Sequence, residues 1–216
     1  MNLTQHMLTT SILLAAFAVT GTGLVALTYE NTKEQIAQAE REYLLQNLYS
    51  VVSPESHNNE LFNDQILVTS PEFLGSKDAL PIFRARLDDQ PVAAIITSVA
   101  PDGYNGDIKL LIGIQYDGAL SGVRVISHRE TPGLGDAIET KRSDWILGFN
   151  GHSIENPEPK KWKVKKDGGY YDQLTGATIT PRAIVKAVYK ALQYYKLNKT
   201  MIFSEPALPF NAEKEG

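Results

Sequence analysis

The chain reads as an α+β protein, with a single N-terminal transmembrane helix followed by one mixed or antiparallel sheet domain with packed helices. Three observations carry that expectation. No Asp, Glu, Lys or Arg occurs before Glu30. Four short runs between residues 82 and 127 are rich in β-branched residues and separated by turn chemistry. A helical repeat of apolar residues follows Pro181.

Composition narrows the function classes. The 216 residues suit one medium domain plus accessories. A net charge of -4 argues against nucleic acid as the main partner. With no cysteine, disulfides, thiolate zinc sites and cysteine-ligated iron–sulfur clusters are excluded. His6, His57, His128 and His152 lack metal-ligand spacing, which argues against a transition-metal site or His-ligated haem.

Residues 8–29 are apolar or small and would span roughly 33 Å as a helix, enough for a bilayer core. Their Ser and Thr hydroxyls can bond back to the helix backbone. Gly21 and Gly23 would let a second membrane helix approach closely. The rival reading is a cleaved signal peptide. A missing basic n-region and a long apolar stretch favour a retained anchor over residues 1–29. The head carries no Lys or Arg, so the positive-inside rule has little to weigh. Residues 30–52 continue as an amphipathic linker helix, with Ile36, Ala39, Tyr43, Leu44 and Leu48 at helical spacing. That stripe packs on the domain or on a partner. Ser53-Pro54 ends it, and 57–64 is a polar loop.

Strands are expected at 82–87, 92–99, 109–115 and 120–127. Asp88-Asp89-Gln90-Pro91 is a turn, 101–106 a longer loop, and Asp117-Gly118 a two-residue hairpin signal. A helix is expected over 136–149, with Trp145 either in the core or offered to an aromatic ligand. Residues 150–160 form a polar loop, 162–165 a short strand and 167–169 a turn. The last helix is expected over 181–196, with Ile184, Val188, Ala191, Leu192 and Tyr195 as its packing stripe. Thr180 suits its N-cap and Pro181 its first position. Residues 206–216 read as a flexible tail.

Two stretches bear chemistry. The first is Asp172-Gln173-Leu174-Thr175-Gly176-Ala177-Thr178-Ile179-Thr180-Pro181. It sets three hydroxyls beside bare backbone at a helix N-terminus, which favours phosphate. An ordinary Thr-capped turn fits the same features. The second is His128-Arg129-Glu130-Thr131-Pro132-Gly133-Leu134-Gly135. Its glycines allow backbone to lie against a ligand, or it is a plain strand-to-helix connection. There is neither a P-loop nor a Gly-x-Gly-x-x-Gly fingerprint. No metal-ligand set and no catalytic acid–base constellation is visible.

Asp172-x-x-Thr175-Gly176-Ala177-Thr178-x-Thr180 resembles the flavinylation motif of the FMN-binding domain family. The stretch from His128 to Gly135 resembles that family's second signature. One amino-terminal membrane helix followed by one such domain resembles the G subunit of Rnf (Rsx) ion-translocating electron transport complexes. The similarity spans essentially the whole chain. It implies a flavin domain over 53–205, placed on the periplasmic face of a bacterial inner membrane. It implies covalent FMN, esterified to Thr178 by a flavin transferase. Thr175 and Thr180 would hydrogen-bond or cap locally, beside the bare backbone of Gly176 and Ala177. Asp172 would serve transferase recognition or turn structure. Thr131, Gly133, Leu134 and Gly135 would give backbone contacts to the flavin, with Glu130 and His128 bonding the ring or supporting the loop. The activity implied is electron relay in a complex coupling ferredoxin and NAD electron exchange to cation translocation. Turnover would belong to the assembled complex, so no catalytic residue is assigned to this chain. Its partners would be the other subunits, the transferase and membrane lipid. Two alternatives stand beside this: the C subunit of a sodium-translocating NADH:quinone oxidoreductase, and a membrane-anchored binding or sensory module.

Overall fold

The structure is a computed structural model and describes residues 3–208; residues 1–2 of the expected anchor and 209–216 of the expected tail lie outside the described residues. Two compact units form, Met1–Leu45 and Gln46–Gly216. The first helix, α1 (Leu3–Val51), runs without a break through the expected anchor and linker. Among the described residues it is the one helix long and apolar enough to cross a membrane. Its hydroxyls behave as an apolar surround demands: Thr9, Thr20 and Thr28 donate to carbonyls one turn back at 2.7–2.9 Å.

The second unit holds a five-stranded sheet, all antiparallel, in sequential order. Its strands are β1 (Gln65–Val68), β2 (Leu80–Leu87), β3 (Gln90–Gly103), β4 (Gly106–Gln115) and β5 (Leu120–Ser127). A single-turn helix, α2 (Pro71–Leu74), follows β1. Asp88 and Asp89 join β2 to β3 with φ of 50° and 62°, the two left-handed positions a tight hairpin needs. At Asp117-Gly118 the connection is wider than a two-residue turn. Gly118 takes φ 98°, and the Gln115 N–H reaches the Ala119 carbonyl at 2.8 Å.

The long closing helix, α3 (Ile179–Ser204), packs along β3. Ala183, Ile184, Ala187, Val188 and Leu192 share one buried cluster with Ala94, Ile96, Ile112 and Ile114 of the sheet. The end of α1 takes the other face. Gly113 and Gly122 pair across β4 and β5, and a Cβ on Gly122 would sit 3.1 Å from the Val51 Cα. These glycines make a slot for the last turn of α1. Leu48, Val51 and Val52 are buried there, so the compact unit begins at Gln46 rather than at the boundary expected after residue 52.

Two arginines close α3. Arg84, 2% exposed, donates to the carbonyls of Ile202 at 3.1 Å and Glu205 at 2.6 Å. Arg86 donates to Phe203 at 2.9 Å. Asp64 pairs with both arginines. The orphan carbonyls of the helix end are thereby satisfied, and α3 runs past the end expected at 196. Tyr195 and the apolar stripe pack as expected.

Several other expectations are corrected. The helix expected over 136–149 is two short 3-10 turns, Gly135–Ile138 and Trp145–Phe149. Ser143 explains the break: its hydroxyl donates to the Ala137 carbonyl at 2.6 Å and accepts the Trp145 N–H at 3.2 Å, a local alternative to helix. The strand expected at 162–165 is one isolated bridge, Val164 to Tyr171. β3 absorbs part of the loop expected at 101–106. The tail is fastened at Leu208, whose N–H donates to the Gln65 carbonyl at 2.8 Å. Thr180 is not the N-cap of α3: Thr178 occupies that position, and Thr180 sits inside the first turn.

Candidate functional site

The two chemistry-bearing stretches meet. A cleft of about 300 Å³ is walled by Glu130, Thr131, Leu134 and Gly135 on one side and by residues 176–180 on the other, with Tyr104 at its edge. The tie between the walls is Glu130, which is 5% exposed. Its Oε2 accepts the Thr180 hydroxyl and its Oε1 accepts the Asn105 N–H at 3.0 Å. Two bare glycines make room for it. A Cβ on Gly135 would lie 2.8 Å from the Glu130 Cβ, and one on Gly103 would lie 3.1 Å from Oε1. A carboxylate beside the first turn of α3 also suits the positive end of the helix dipole.

His128 stands behind this tie. Its Nδ1 accepts the Glu130 N–H at 3.0 Å, which leaves Nε2 as the protonated nitrogen of the neutral ring, 2.7 Å from Glu139 Oε1. His128 thus supports the loop and is absent from the cleft lining. Asn105 adds a second strap, its Nδ2 donating to the Thr131 hydroxyl at 3.1 Å.

The three hydroxyls now differ. Thr180 is 0% exposed and commits its proton to Glu130. Thr175 is exposed and does not line the cleft. Thr178 lines the cleft and makes no capping bond with its side chain. Gly176 takes φ 79°, and a Cβ there would come 2.7 Å from Leu134 Cδ2. Its bareness lets the two walls close. Gly133 takes φ 78° at the tip of its loop, outside the cleft lining. Asp172 also stands outside the lining and pairs with Lys165 at 2.6 Å.

An aromatic block holds the threonine turn from behind. Tyr171 is buried and stacks on Phe149 at 4.5 Å. Its hydroxyl lies 3.1 Å from His152 Nδ1. Burial, then the neighbouring Tyr170, pushes the Tyr171 hydroxyl far above the ordinary phenol range; burial also holds the His152 imidazole below its ordinary value. Trp145, expected in the core or against a ligand, is half-buried and donates from Nε1 to the Asp172 carbonyl at 2.8 Å. It fixes the start of the motif.

The residues fit a phosphate ester carrying a flat, largely apolar ring. The first turn of α3 offers N–H groups without helical acceptors. Tyr104, Leu134 and Ile179 line the cleft and stay 44–64% exposed, apolar surface left open for a ring. Tyr104, Asn105 and Ile179 were not identified from sequence as site residues. The signal for the first two was an aromatic and an amide in a glycine-flanked turn, which reads like any other loop tip.

Known proteins match this chain along nearly all of its length. A family model described as FMN-binding domain matches residues 103–193, a span containing both walls of the cleft. A second, described as RnfG N-terminal region, matches residues 1–51. The G subunit of the ion-translocating oxidoreductase complex of Aliivibrio fischeri (strain ATCC 700601 / ES114) is 49% identical over 203 residues, covering 94% of this chain and 95% of that protein. The corresponding subunit of Shewanella oneidensis is 45% identical over 200 residues, covering 93% and 94%. Among solved structures, the C subunit of the Na(+)-translocating NADH-quinone reductase from Parabacteroides distasonis aligns with TM-score 0.48 at 23% identity, over 68% of this chain and 81% of that one.

Proposed function

The chain belongs to the family of RnfG, the G subunit of ion-translocating oxidoreductase complexes, and from that membership we propose that it is the complex's membrane-anchored flavin relay, with FMN esterified through its phosphate to Thr178. Residues 1–29 anchor it, 30–45 link, and the domain lies on the periplasmic side of a bacterial inner membrane. The other subunits of the complex are its working partners, a flavin transferase matures it, and lipid surrounds its anchor.

The observation that carries this reading is the division of labour among the threonines. One cleft joins both signatures, and Thr178 is the threonine whose hydroxyl is at once uncommitted and on its wall. Once esterified, the phosphate retains about one negative charge, which the N-terminus of α3 accommodates without a lysine clamp. Bound FMN supplies the one-electron carriage. The chain supplies everything around it. Glu130 holds the walls in register, and Gly176 and Gly135 let them approach. Tyr104, Leu134 and Ile179 exclude water from one side of whatever ring occupies the cleft. A covalent tether also makes occupancy independent of free flavin concentration.

The test is flavin fluorescence on a denaturing gel, joined to peptide mapping. Protein co-expressed with a flavin transferase should keep its fluorescence after denaturation, with the added mass on Thr178. Thr178→Ala should lose that signal while the domain stays folded, and Thr175→Ala should keep it. Loss of signal in Thr175→Ala alone would move the attachment point. A flavin that washes out on denaturation would remove the covalent bond from the reading.

A further inference from the structure

A second concavity lies outside the cleft and shares no lining residue with it. Its floor is Trp162, Val164, Val185 and Tyr189, and its volume is about 500 Å³. The Trp162 and Tyr189 rings stack at 5.3 Å. Trp162, Val164 and Val185 are buried, and Tyr189 is half-buried.

The rim is basic in a chain that is acidic overall. Lys163 lines one side, with Lys160, Lys161, Lys165 and Lys166 nearby in sequence but outside the lining, and Arg182, Lys186 and Lys190 of α3 line the opposite side. Most are engaged within the domain. Arg182 forks onto Asp167 at 2.6 and 2.8 Å, Lys186 pairs with Asp102, and Lys190 donates to the Glu72 carbonyl at 2.7 Å. Lys163 and Lys166 are different. They contribute to holding the Asp167 carboxyl below its ordinary value, a shift led by Arg182, yet neither ammonium group makes an ion pair or hydrogen bond among the described residues. Both are exposed. The rim is also close to the attachment residue, because Arg182 Nη1 lies 3.5 Å from the Thr178 carbonyl.

We propose that this groove docks an acidic segment of another polypeptide, whose carboxylates pair with Lys163 and Lys166 while an apolar side chain enters against the Trp162–Tyr189 stack. The concave aromatic floor suits a peptide side chain rather than a lipid surface. The cationic rim supplies the charge complementarity that steers such an approach. The groove begins one helical turn from Thr178, so the docked chain would stand beside the redox site without covering the cleft.

A zero-length carbodiimide reagent tests this directly, because it turns a lysine–carboxylate contact into an amide and releases the activating group as a urea. Applied to native membranes holding the assembled complex, it should join Lys163 or Lys166 to an Asp or Glu in a defined stretch of a second polypeptide, identified by peptide mapping. The yield should fall with added salt and drop about tenfold in the double variant Lys163→Glu/Lys166→Glu. Covalent flavin on the denaturing gel should be unchanged in that variant. This separates a failed groove from a failed flavin assignment. Links confined to this chain's own carboxylates, or a yield the double variant leaves intact, would overturn the proposal. So would loss, in the variant, of binding to phosphatidylglycerol vesicles without loss of any polypeptide link.

Discussion

Glu130 is a single side chain on which two distant stretches converge. Removing it leaves the Thr180 hydroxyl buried without its acceptor, and the Asn105 N–H loses its partner as well. Glu130→Ala should therefore destabilise the domain by about 2 kcal/mol, read as a lower urea midpoint, and should reduce flavin loading. Glu130→Gln keeps the shape and one acceptor oxygen, so it should lose less than half as much. His152 gives a prediction with a sign. Burial keeps its folded pKa below the ordinary 6.5, so the unfolded chain takes up the proton first as pH falls. Stability is then intact above the ordinary imidazole range and declines as pH drops through it, until the folded ring protonates too. Urea midpoints measured from about pH 7.5 down to about pH 5.5 should fall for the wild type. The slope should flatten in His152→Gln.

Among the elements, α3 carries the most. Asp64 neutralises the two arginines that hold its last carbonyls. Asp64→Ala would leave Arg84 buried without a counter-charge, so the expected loss is about 3 kcal/mol in a denaturant titration. The sequence already carried β2 to β5 and this helix, because β-branched runs and an apolar repeat survive any context. The stretch from Asp172 to Pro181 was legible as a turn of hydroxyls and bare backbone before a helix, and it supplies one wall of the cleft. Other features depended on partners far away in the chain. β1 is four residues whose pairing comes from β2. The extension of α3 past 196 depends on Arg84 and Arg86, more than a hundred positions earlier. The capping role expected of Thr180 failed because a buried carboxylate fifty residues upstream claims its hydroxyl.

On the scale of the whole molecule, the boundary between helix and domain decides what can be cut. Leu48, Val51 and Val52 belong to the core of the second unit, and Gly113 and Gly122 are shaped around Val51. A fragment of residues 46–208 should fold without the anchor and melt cooperatively. A fragment of residues 54–208 would uncover the Gly113–Gly122 slot and lose three buried aliphatic side chains. It should melt well below the longer one, by about 10 °C or more, given typical costs of about 2 kcal/mol per large buried aliphatic. Thermal denaturation of the two fragments side by side checks this.

Helix ends ordinarily fray, and their amides trade protons with water far faster than those in the middle. In α3 the first turn is held through Thr180 by Glu130 and the last turn by two arginines. Amide hydrogen–deuterium exchange along its 26 residues should accordingly stay slow through the hydrogen-bonded N–H groups of the last turn, while the first-turn N–H groups, which have no helical acceptors, exchange readily. The N–H groups facing the cleft are nonetheless already immobile before any anion arrives. Their ordering entropy is spent in folding rather than at each encounter, which is the thermodynamic meaning of a preorganised site.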